Sequence, residues 1–163
     1  MSIGDLTILE QASMSGRGSR LYNVAAGSTI NPGEPVMFAT ANAVTVVAAG
    51  TNFPVASSDF FVGIAATTST NTSATAGTVG VYPADPGMTF LANPTVATSW
   101  DTQVEYDALV NKNVVLDLAS GAYTVLATNP SVTTNGLLVQ AMNIKEHPGK
   151  VALACKVSAT STR

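Results

Sequence analysis

Two apolar, β-branched runs separated by a small polar segment constrain the fold of this chain more than any other feature. The first run is Phe60–Ala66 (FFVGIAA) and the second is Gly77–Pro83 (GTVGVYP), and the residues between them are almost all Thr, Ser, Asn and Ala. Runs of this kind predict a strand, a connection and a second strand. The glycines inside them, Gly63 and Gly80, indicate a bulge or a close approach of two backbones.

The rest of the chain repeats this alternation of short strands and turns. Turn-forming sequences such as Asn31–Pro35 (NPGEP) separate the apolar runs. No segment shows a long helical period. About ten short antiparallel strands at regular spacing predict an all-β fold, a small barrel or a sandwich. Further candidate strands lie at residues 21–25, 36–39, 44–48, 88–91, 104–110, 114–119, 122–127 and 137–139.

Two hairpins have registers that follow from their turns. A two-residue turn at Ser120-Gly121 places apolar residues opposite one another, and a turn at 147–150 (HPGK) does the same for the last strands. The first turn predicts the pairs Leu118–Tyr123, Leu116–Val125 and Val114–Ala127, and the second predicts Ile144–Leu153 and Met142–Cys155. In each hairpin one face is apolar and the other is polar or mixed, as in a sheet with one buried side.

Charge is scarce and unevenly distributed. Charged residues make up 10% of the chain, against roughly 25% in an average domain. The formal net charge of -3 argues against a general nucleic-acid binder. No Lys or Arg lies between residues 21 and 111, so the basic residues are concentrated at the two ends. A weakly charged surface of small side chains is typical of a protein that packs against other proteins.

The chain carries no recognisable targeting or membrane-spanning pattern. Its first residues lack the basic region and apolar core of a signal peptide. No run reaches the roughly 18 apolar residues of a membrane span. Cys155 is the single cysteine, which excludes an internal disulfide. We therefore expect a protein that is made in a cytoplasm and does not enter a membrane.

Residues 1–20 differ from the remainder and predict an N-terminal arm ahead of a β domain at residues 21–163. A flexible Ser-Gly-Arg sequence at residues 15–20 separates the two parts. The anchors that we expect to contact a partner are Ile3, Leu6, Ile8, Leu9, Met14, Arg17 and Arg20. The alternative is that this segment is an N-terminal strand or helix of the domain itself.

Catalytic and metal-binding patterns are absent from the sequence. His147 lies in a Pro-Gly turn, and Cys155 falls on the apolar side of its predicted hairpin. Gln103, Glu105 and Asp107 alternate with apolar residues, which predicts a solvated strand face rather than a calcium site. We expect no enzymatic activity, no metal and no cofactor. The aromatic residues Trp100, Tyr82 and Tyr106 are candidates for a sugar-stacking platform, with the core as the alternative location.

The order of three short motifs resembles the capsid decoration, or cement, proteins of tailed bacteriophages. The motifs are AGSTINPGEPV at 26–36, FVGIA at 61–65 and AGTVGV at 76–81. They match the patterns AG-x-x-I-x-x-G-x-x-V, GIA and G-x-V-x-V, over roughly residues 20–85. The resemblance implies an all-β domain, often trimeric, that binds the outer face of a phage capsid and stabilises the shell. Its partner would be the major capsid protein, and residues 1–20 would be the capsid-binding arm, although no motif in the arm matches residue for residue.

Two other functions compete with this interpretation. One is a carbohydrate- or receptor-binding β domain on the virion surface, which would use loops such as Asn52-Phe53 and Ser99-Trp100. The other is a main shell-forming subunit, which would usually be longer and more helical. The preferred expectation is a structural virion protein on the outer capsid surface, forming a homotrimer there, with neither nucleic acid nor membrane as a partner.

Overall fold

A computed structural model describes residues 6–11, 18–40, 42–47, 61–72, 75–84, 88–96, 100–119, 122–126 and 137–155. The predicted all-β class is confirmed, with one short helix. The first seven strands are β1 (Thr7–Gln11), β2 (Arg20–Val24), β3 (Thr29–Ile30), β4 (Pro35–Thr40), β5 (Ala43–Val46), β6 (Phe61–Ala65) and β7 (Ser69–Thr70). The remaining elements are β8 (Thr78–Pro83), β9 (Met88–Pro94), α1 (Gln103–Asp107), β10 (Asn113–Val114), β11 (Leu116–Ala119), β12 (Ala122–Val125), β13 (Leu137–Val139) and β14 (Val151–Cys155).

The number of strands exceeds the prediction. The described residues contain fourteen strands instead of about ten. Three of them, β3, β7 and β10, are only two residues long. Strands as short as β3 and β7 carry no apolar period in the sequence, which is why the sequence analysis did not detect them. Strands β10 and β11 were predicted as one strand at residues 114–119.

The first half of the chain forms a closed barrel of five strands in the order β2-β5-β4-β6-β8, with β8 returning to β2. Both predicted glycine-containing strands are confirmed, and β6 and β8 are antiparallel neighbours with Ile64 opposite Tyr82. The contact between β2 and β5 is parallel. Val36, Val44, Val79 and Val81 are fully buried and fill the interior with other apolar residues.

The second half is organised around β9, the longest strand. The sheet runs β10-β13-β14-β9-β12-β11, and β1 pairs with β9 as well. One edge of β9 contacts β14 along residues 89–92, and the other contacts β1 first and then β12, in parallel, at residues 93–94. A larger core lies against this sheet and includes Phe90, Leu116 and Leu153.

Strand β6 contributes to both hydrophobic cores. All five of its residues are buried. Phe61 and Ile64 belong to the larger core, while Val62 and Ala65 belong to the barrel interior. Strict alternation would put Phe61 and Ile64 on opposite faces. The pairing of β6 with β4 is irregular, because Val36 lies opposite Gly63 and Met37 opposite Phe61. This irregularity shifts the alternation of inward and outward side chains next to Gly63.

Gly63 is required because no side chain fits there. A Cβ atom at this position would overlap the backbone carbonyl of Tyr82 in the neighbouring strand. Its φ of 153° is also one that other residues rarely adopt. The sequence prediction of a bulge or close backbone approach at this glycine is therefore confirmed.

Replacing Gly63 with alanine should lower the free energy of unfolding by more than about 2 kcal/mol, because the overlap is with backbone and forces β6 and β8 apart. Gly18→Ala is the matched control, since nothing lies within 4 Å of a Cβ at Gly18. That variant should change stability by less than about 0.5 kcal/mol. Urea unfolding of both variants measures the difference, and equal stabilities would contradict the packing at Gly63.

The first predicted hairpin is largely confirmed. Leu116 lies opposite Val125 and Leu118 opposite Tyr123, as the two-residue turn requires. The third predicted pair is not formed in this way, because Val114 belongs to β10 and lies opposite Leu137. Ala127 lies outside the described residues.

The second predicted hairpin is wrong. The Pro-Gly turn exists, with the Lys150 amide donating to the His147 carbonyl at 3.2 Å. Residues 140–150, however, form no strand, and β14 pairs with β13 on one side and with β9 on the other. Leu153 therefore lies opposite Val139 and Cys155 opposite Leu137. The reason is that β13 offers a fully apolar partner, whereas residues 142–146 (MNIKE) are mostly polar. The predicted burial of Cys155 stays a prediction, because its side chain is not among those that the structure describes.

The strand predicted at residues 104–110 is instead part of helix α1 up to Asp107, followed by a turn. Thr102 is the N-cap of α1, and its hydroxyl accepts from the Glu105 amide at 3.3 Å. The Glu105 carboxylate accepts in return from the Thr102 amide at 3.4 Å, which completes a capping box. The Thr-x-x-Glu sequence indicates that a helix begins here. This signal outweighs the short alternation of polar and apolar residues that predicted a strand.

Two buried tyrosines tie separate parts of the chain together. The Tyr123 hydroxyl donates to the Val47 carbonyl at 2.8 Å. It therefore joins β12 to the residue that follows barrel strand β5. The Tyr106 hydroxyl donates to the Gln140 carbonyl at 2.9 Å and accepts from the Ala152 amide at 3.0 Å. Burial raises the pKa of both phenols, and the Glu34 carboxylate adds to the rise in the pKa of Tyr123.

The Tyr123 phenol should make stability sensitive to alkaline pH. The pKa of Tyr123 is raised in the folded protein, so the protonated phenol stabilises the fold. This contribution to the free energy of unfolding is complete below the usual tyrosine pKa of about 10 and is lost as the pH rises above that value. At about pH 7, Tyr123→Phe should cost about 1–2 kcal/mol through the lost hydrogen bond. Above about pH 10, the difference in free energy of unfolding between wild type and variant should become smaller, as measured by urea unfolding. Tyr106 titrates in both proteins and serves as an internal control, and a gap that widens with pH would contradict this account.

Candidate functional site

The predicted capsid-contact residues occupy different environments in the structure. Ile3, Met14 and Arg17 lie outside the described residues. Leu6 is 5% exposed and packs in the larger core, so it is not available to a partner in this conformation. Ile8 and Leu9 lie in β1, with Ile8 opposite Phe90 of β9. Arg20 begins β2 and is exposed.

Strand β1 belongs to the main sheet. Residues Thr7–Gln11 pair antiparallel with Met88–Leu91, with one irregularity between Ile8 and Glu10. Among the described residues, β9 is the only strand that pairs with β1. Within residues 1–20, Thr7–Gln11 is therefore a strand of the main sheet, and the division of the chain at residue 20 stays a prediction.

A cleft of about 380 Å³ lies at the beginning of α1 and combines aromatic and charged groups. Trp100 and Asp101 line one side, immediately before the Thr102 N-cap. The other side is lined by Ile144, Lys145, Pro148 and Gly149. Trp100 is half-buried and also packs against the larger core, whereas Asp101 and Lys145 are exposed.

The backbone at Trp100 is strained. Its φ is 61°, in the left-handed region, where a bulky residue costs roughly 1–3 kcal/mol. Asn111 is the other described non-glycine residue with positive φ, and asparagine tolerates this conformation far better than tryptophan. Strain of this kind persists only where the surrounding structure holds the residue in place, here the core contact on one side and the capping box on the other.

The Gln103 side chain fastens the two sides of the cleft together. Its Nε2 donates to the Met142 carbonyl at 3.0 Å and to the Asp107 carboxylate at 2.7 Å. Its Oε1 accepts from the Ile144 amide at 3.1 Å. The segment Met142–Ile144, which belongs to no strand, is thus tied to α1 by one side-chain amide group in addition to its contacts with the larger core.

The polar groups around the cleft are locally ordered. The Lys145 amide donates to the Asn143 side chain at 3.1 Å, and the Glu146 amide donates to the Asn143 carbonyl at 3.0 Å. The hydrogen bonds that Glu105 accepts from Thr102 lower the pKa of its carboxyl group. Glu105 is therefore ionised at neutral pH and keeps the capping box closed beside Trp100.

The sequence analysis identified one part of this site and missed another. Trp100 was a candidate for sugar stacking and does line the cleft. The other two members of the suggested platform are not with it: Tyr106 is fully buried with its hydroxyl occupied, and Tyr82 packs beside the larger core in β8. The role of Gln103 was missed because it was assigned to a solvated strand face; the Thr-x-x-Glu capping signal would have placed it on a helix.

The described residues that could act in catalysis or bind a metal do not cluster. His147 is half-buried in its turn. Within the part of the chain that the structure describes, no three His, Cys, Asp or Glu side chains come together as a metal site would require. No helix among the described residues is long and apolar enough to cross a bilayer.

Comparison with known proteins gives no family assignment. No protein-family model matches the chain, and no curated protein shows significant similarity to it.

Replacing Gln103 with alanine should loosen the cleft without unfolding the protein. The Ile144 amide would lose its acceptor, and its hydrogen exchange should accelerate about tenfold, the equivalent of one ordinary hydrogen bond. Val104→Ala is the control, because Val104 is 81% exposed on the same helix. Exchange measured by NMR should leave Ile144 protected in that control; equal protection in both variants would show that Gln103 does not hold the segment.

Proposed function

We propose that this chain is a structural virion protein that binds the outer surface of a bacteriophage capsid and stabilises the shell. The observation that carries the proposal is that all three motifs of the decoration-protein resemblance fall within one closed barrel and its turns. A similarity scattered over unrelated surface positions would carry far less weight.

Every specified position of these motifs except Ala26 has a physical requirement. Gly27 and Gly33 have φ of 75° and 83°, which favour glycine. Gly63 and Gly77 lie where a Cβ would overlap a neighbouring backbone carbonyl. Six of the seven apolar positions of the patterns are buried in this chain: Ile30, Val36, Ile64, Ala65, Val79 and Val81. The exception is Ala26, which is exposed. The motifs therefore specify this barrel as a unit, which supports the use of the resemblance.

The turn before β4 adds a polar requirement of the same kind. Glu34 is 5% exposed, and its carboxylate accepts from the Asn31 amide at 2.7 Å. The Glu34 amide donates back to the Asn31 carbonyl at 3.2 Å. A buried carboxylate that closes its own turn explains why an acidic residue follows Pro-Gly here.

The low charge of the surface supports packing of the protein within a capsid lattice. Few charges have to be desolvated when so weakly charged a surface is covered. Leu21, 76% exposed, follows exposed Arg20 in β2 and presents an apolar group beside a basic one. Such a pair at the base of the N-terminal segment suits contact with an acidic, partly apolar shell surface.

The N-terminal segment contacts the capsid in this proposal, and two geometries are open to it. A strand of the shell can add to the edge of β1 that faces away from β9. Alternatively, β1 leaves β9 and pairs with the shell. The second geometry requires Leu6 to leave the core, which costs roughly 1.5–3 kcal/mol of burial. The first keeps Leu6 in place and leaves residues 1–5 to engage the major capsid protein. Trimers around local three-fold axes complete the proposed arrangement.

Binding to heads of the phage that encodes the chain tests the proposal. Heads prepared without the protein should bind it saturably in co-sedimentation, and a reconstruction should place it on the outer surface in groups of three. The Arg17→Gln/Arg20→Gln double variant and a chain lacking residues 1–5 should each bind at least about tenfold more weakly, with Lys112→Gln as the control of equal charge type. Absence of binding to heads would refute the function. Undiminished binding by both variants would refute only the role of the N-terminal segment.

A further inference from the structure

We propose that the cleft between Trp100 and Lys145 binds a carbohydrate, with one hexose unit as the group that it accommodates. This inference stands independently of capsid binding, because none of the cleft residues belongs to the barrel or to residues 1–20. The cleft is open to solvent along residues that are exposed in the chain, so an external ligand has access to it.

The first argument is the aromatic wall. Trp100 is the single tryptophan of the chain. Its side chain is only half-buried although it packs beside the core, so part of its apolar surface faces the cleft. Ile144 and Pro148 add apolar surface on the opposite side. The C–H groups of a sugar ring match such walls, because one face of a pyranose is apolar.

The second argument is the pairing of charges. Asp101 supplies acceptor oxygens on one side of the cleft, and Lys145 supplies donor hydrogens on the other. A cationic ligand would be repelled by Lys145, and an anionic one by Asp101. A neutral ligand whose hydroxyl groups both donate and accept satisfies the two together. Polyhydroxylated rings are a ligand class with that property, and their apolar ring face also matches the Trp100 wall.

The third argument is preorganisation. The Gln103 side chain joins the helix to the Met142–Ile144 segment with two hydrogen bonds, at 3.0 and 3.1 Å. The Pro148-Gly149 turn closes the far end, and Gly149 has φ of 68°. A wall that is already ordered loses little conformational freedom when a ligand binds. The volume of about 380 Å³ falls at the small end of ligand sites, which fits a single sugar unit of a longer glycan.

Tryptophan fluorescence, excited at a wavelength that the tyrosines do not absorb, provides a direct test, because Trp100 is the single tryptophan of the chain. The full-length protein should be titrated with glucose, galactose, mannose and N-acetylglucosamine to about 100 mM, and then applied to an array of bacterial surface glycans. N-acetyltryptophanamide, titrated in parallel, corrects for quenching by the sugars themselves. We expect a saturable change with at least one sugar or binding to a glycan that contains it.

Variants then locate the binding. Asp101→Asn and Lys145→Gln should each weaken it about tenfold or more, since each removes a charge-assisted hydrogen bond. Asp117→Asn and Lys112→Gln are the matched controls and should bind like wild type, because neither residue lines the cleft. Circular dichroism verifies that all four are folded. Failure of every sugar and glycan to bind overturns the proposal, and so does binding that Asp101→Asn and Lys145→Gln leave unchanged.

Discussion

The burial of β6 between two hydrophobic cores is the constraint on which the rest of the structure depends. Its five residues divide between the barrel interior and the larger core, and this division requires the irregularity beside Gly63. Phe61 then reaches Phe90 of β9, with ring centroids 6.1 Å apart. A strand buried on both faces must be apolar throughout, which is what the FVGIA sequence supplies.

Polar groups join the elements that hydrophobic packing brings together. Tyr123, Tyr106 and Gln103 each connect segments that are 34 or more residues apart in the chain. Each of these side chains satisfies backbone groups that have no sheet partner, at Val47, Gln140 and Ile144. Because unsatisfied buried groups are costly, these three residues determine where the irregular segments lie. The cleft beside Trp100 is a consequence of that arrangement.

The two proposed interfaces use different physical principles. Contact with a shell through β1 and its neighbours relies on backbone pairing and on a weakly charged surface, and needs little side-chain specificity. Recognition in the Trp100 cleft relies on an aromatic wall between two opposite charges. A capsid-surface protein with an outward sugar site would combine both on separate parts of the chain. Neither requires the buried side chains that stabilise the fold.

Local sequence determined the features whose signals extend over only a few residues. These are the all-β class, the two glycine-containing strands, the Leu116–Val125 hairpin register and the close approach at Gly63. These follow from alternation, two-residue turns and glycine, which act over a few residues. Tertiary structure alone decided that Val151–Cys155 pairs with Leu137–Val139 and not with the segment directly before its turn. It also decided that β1 lies beside β9, and that Gln103 holds Ile144. Several partners offer similar apolar patterns in such cases, and only the competition for burial across the whole chain selects one of them.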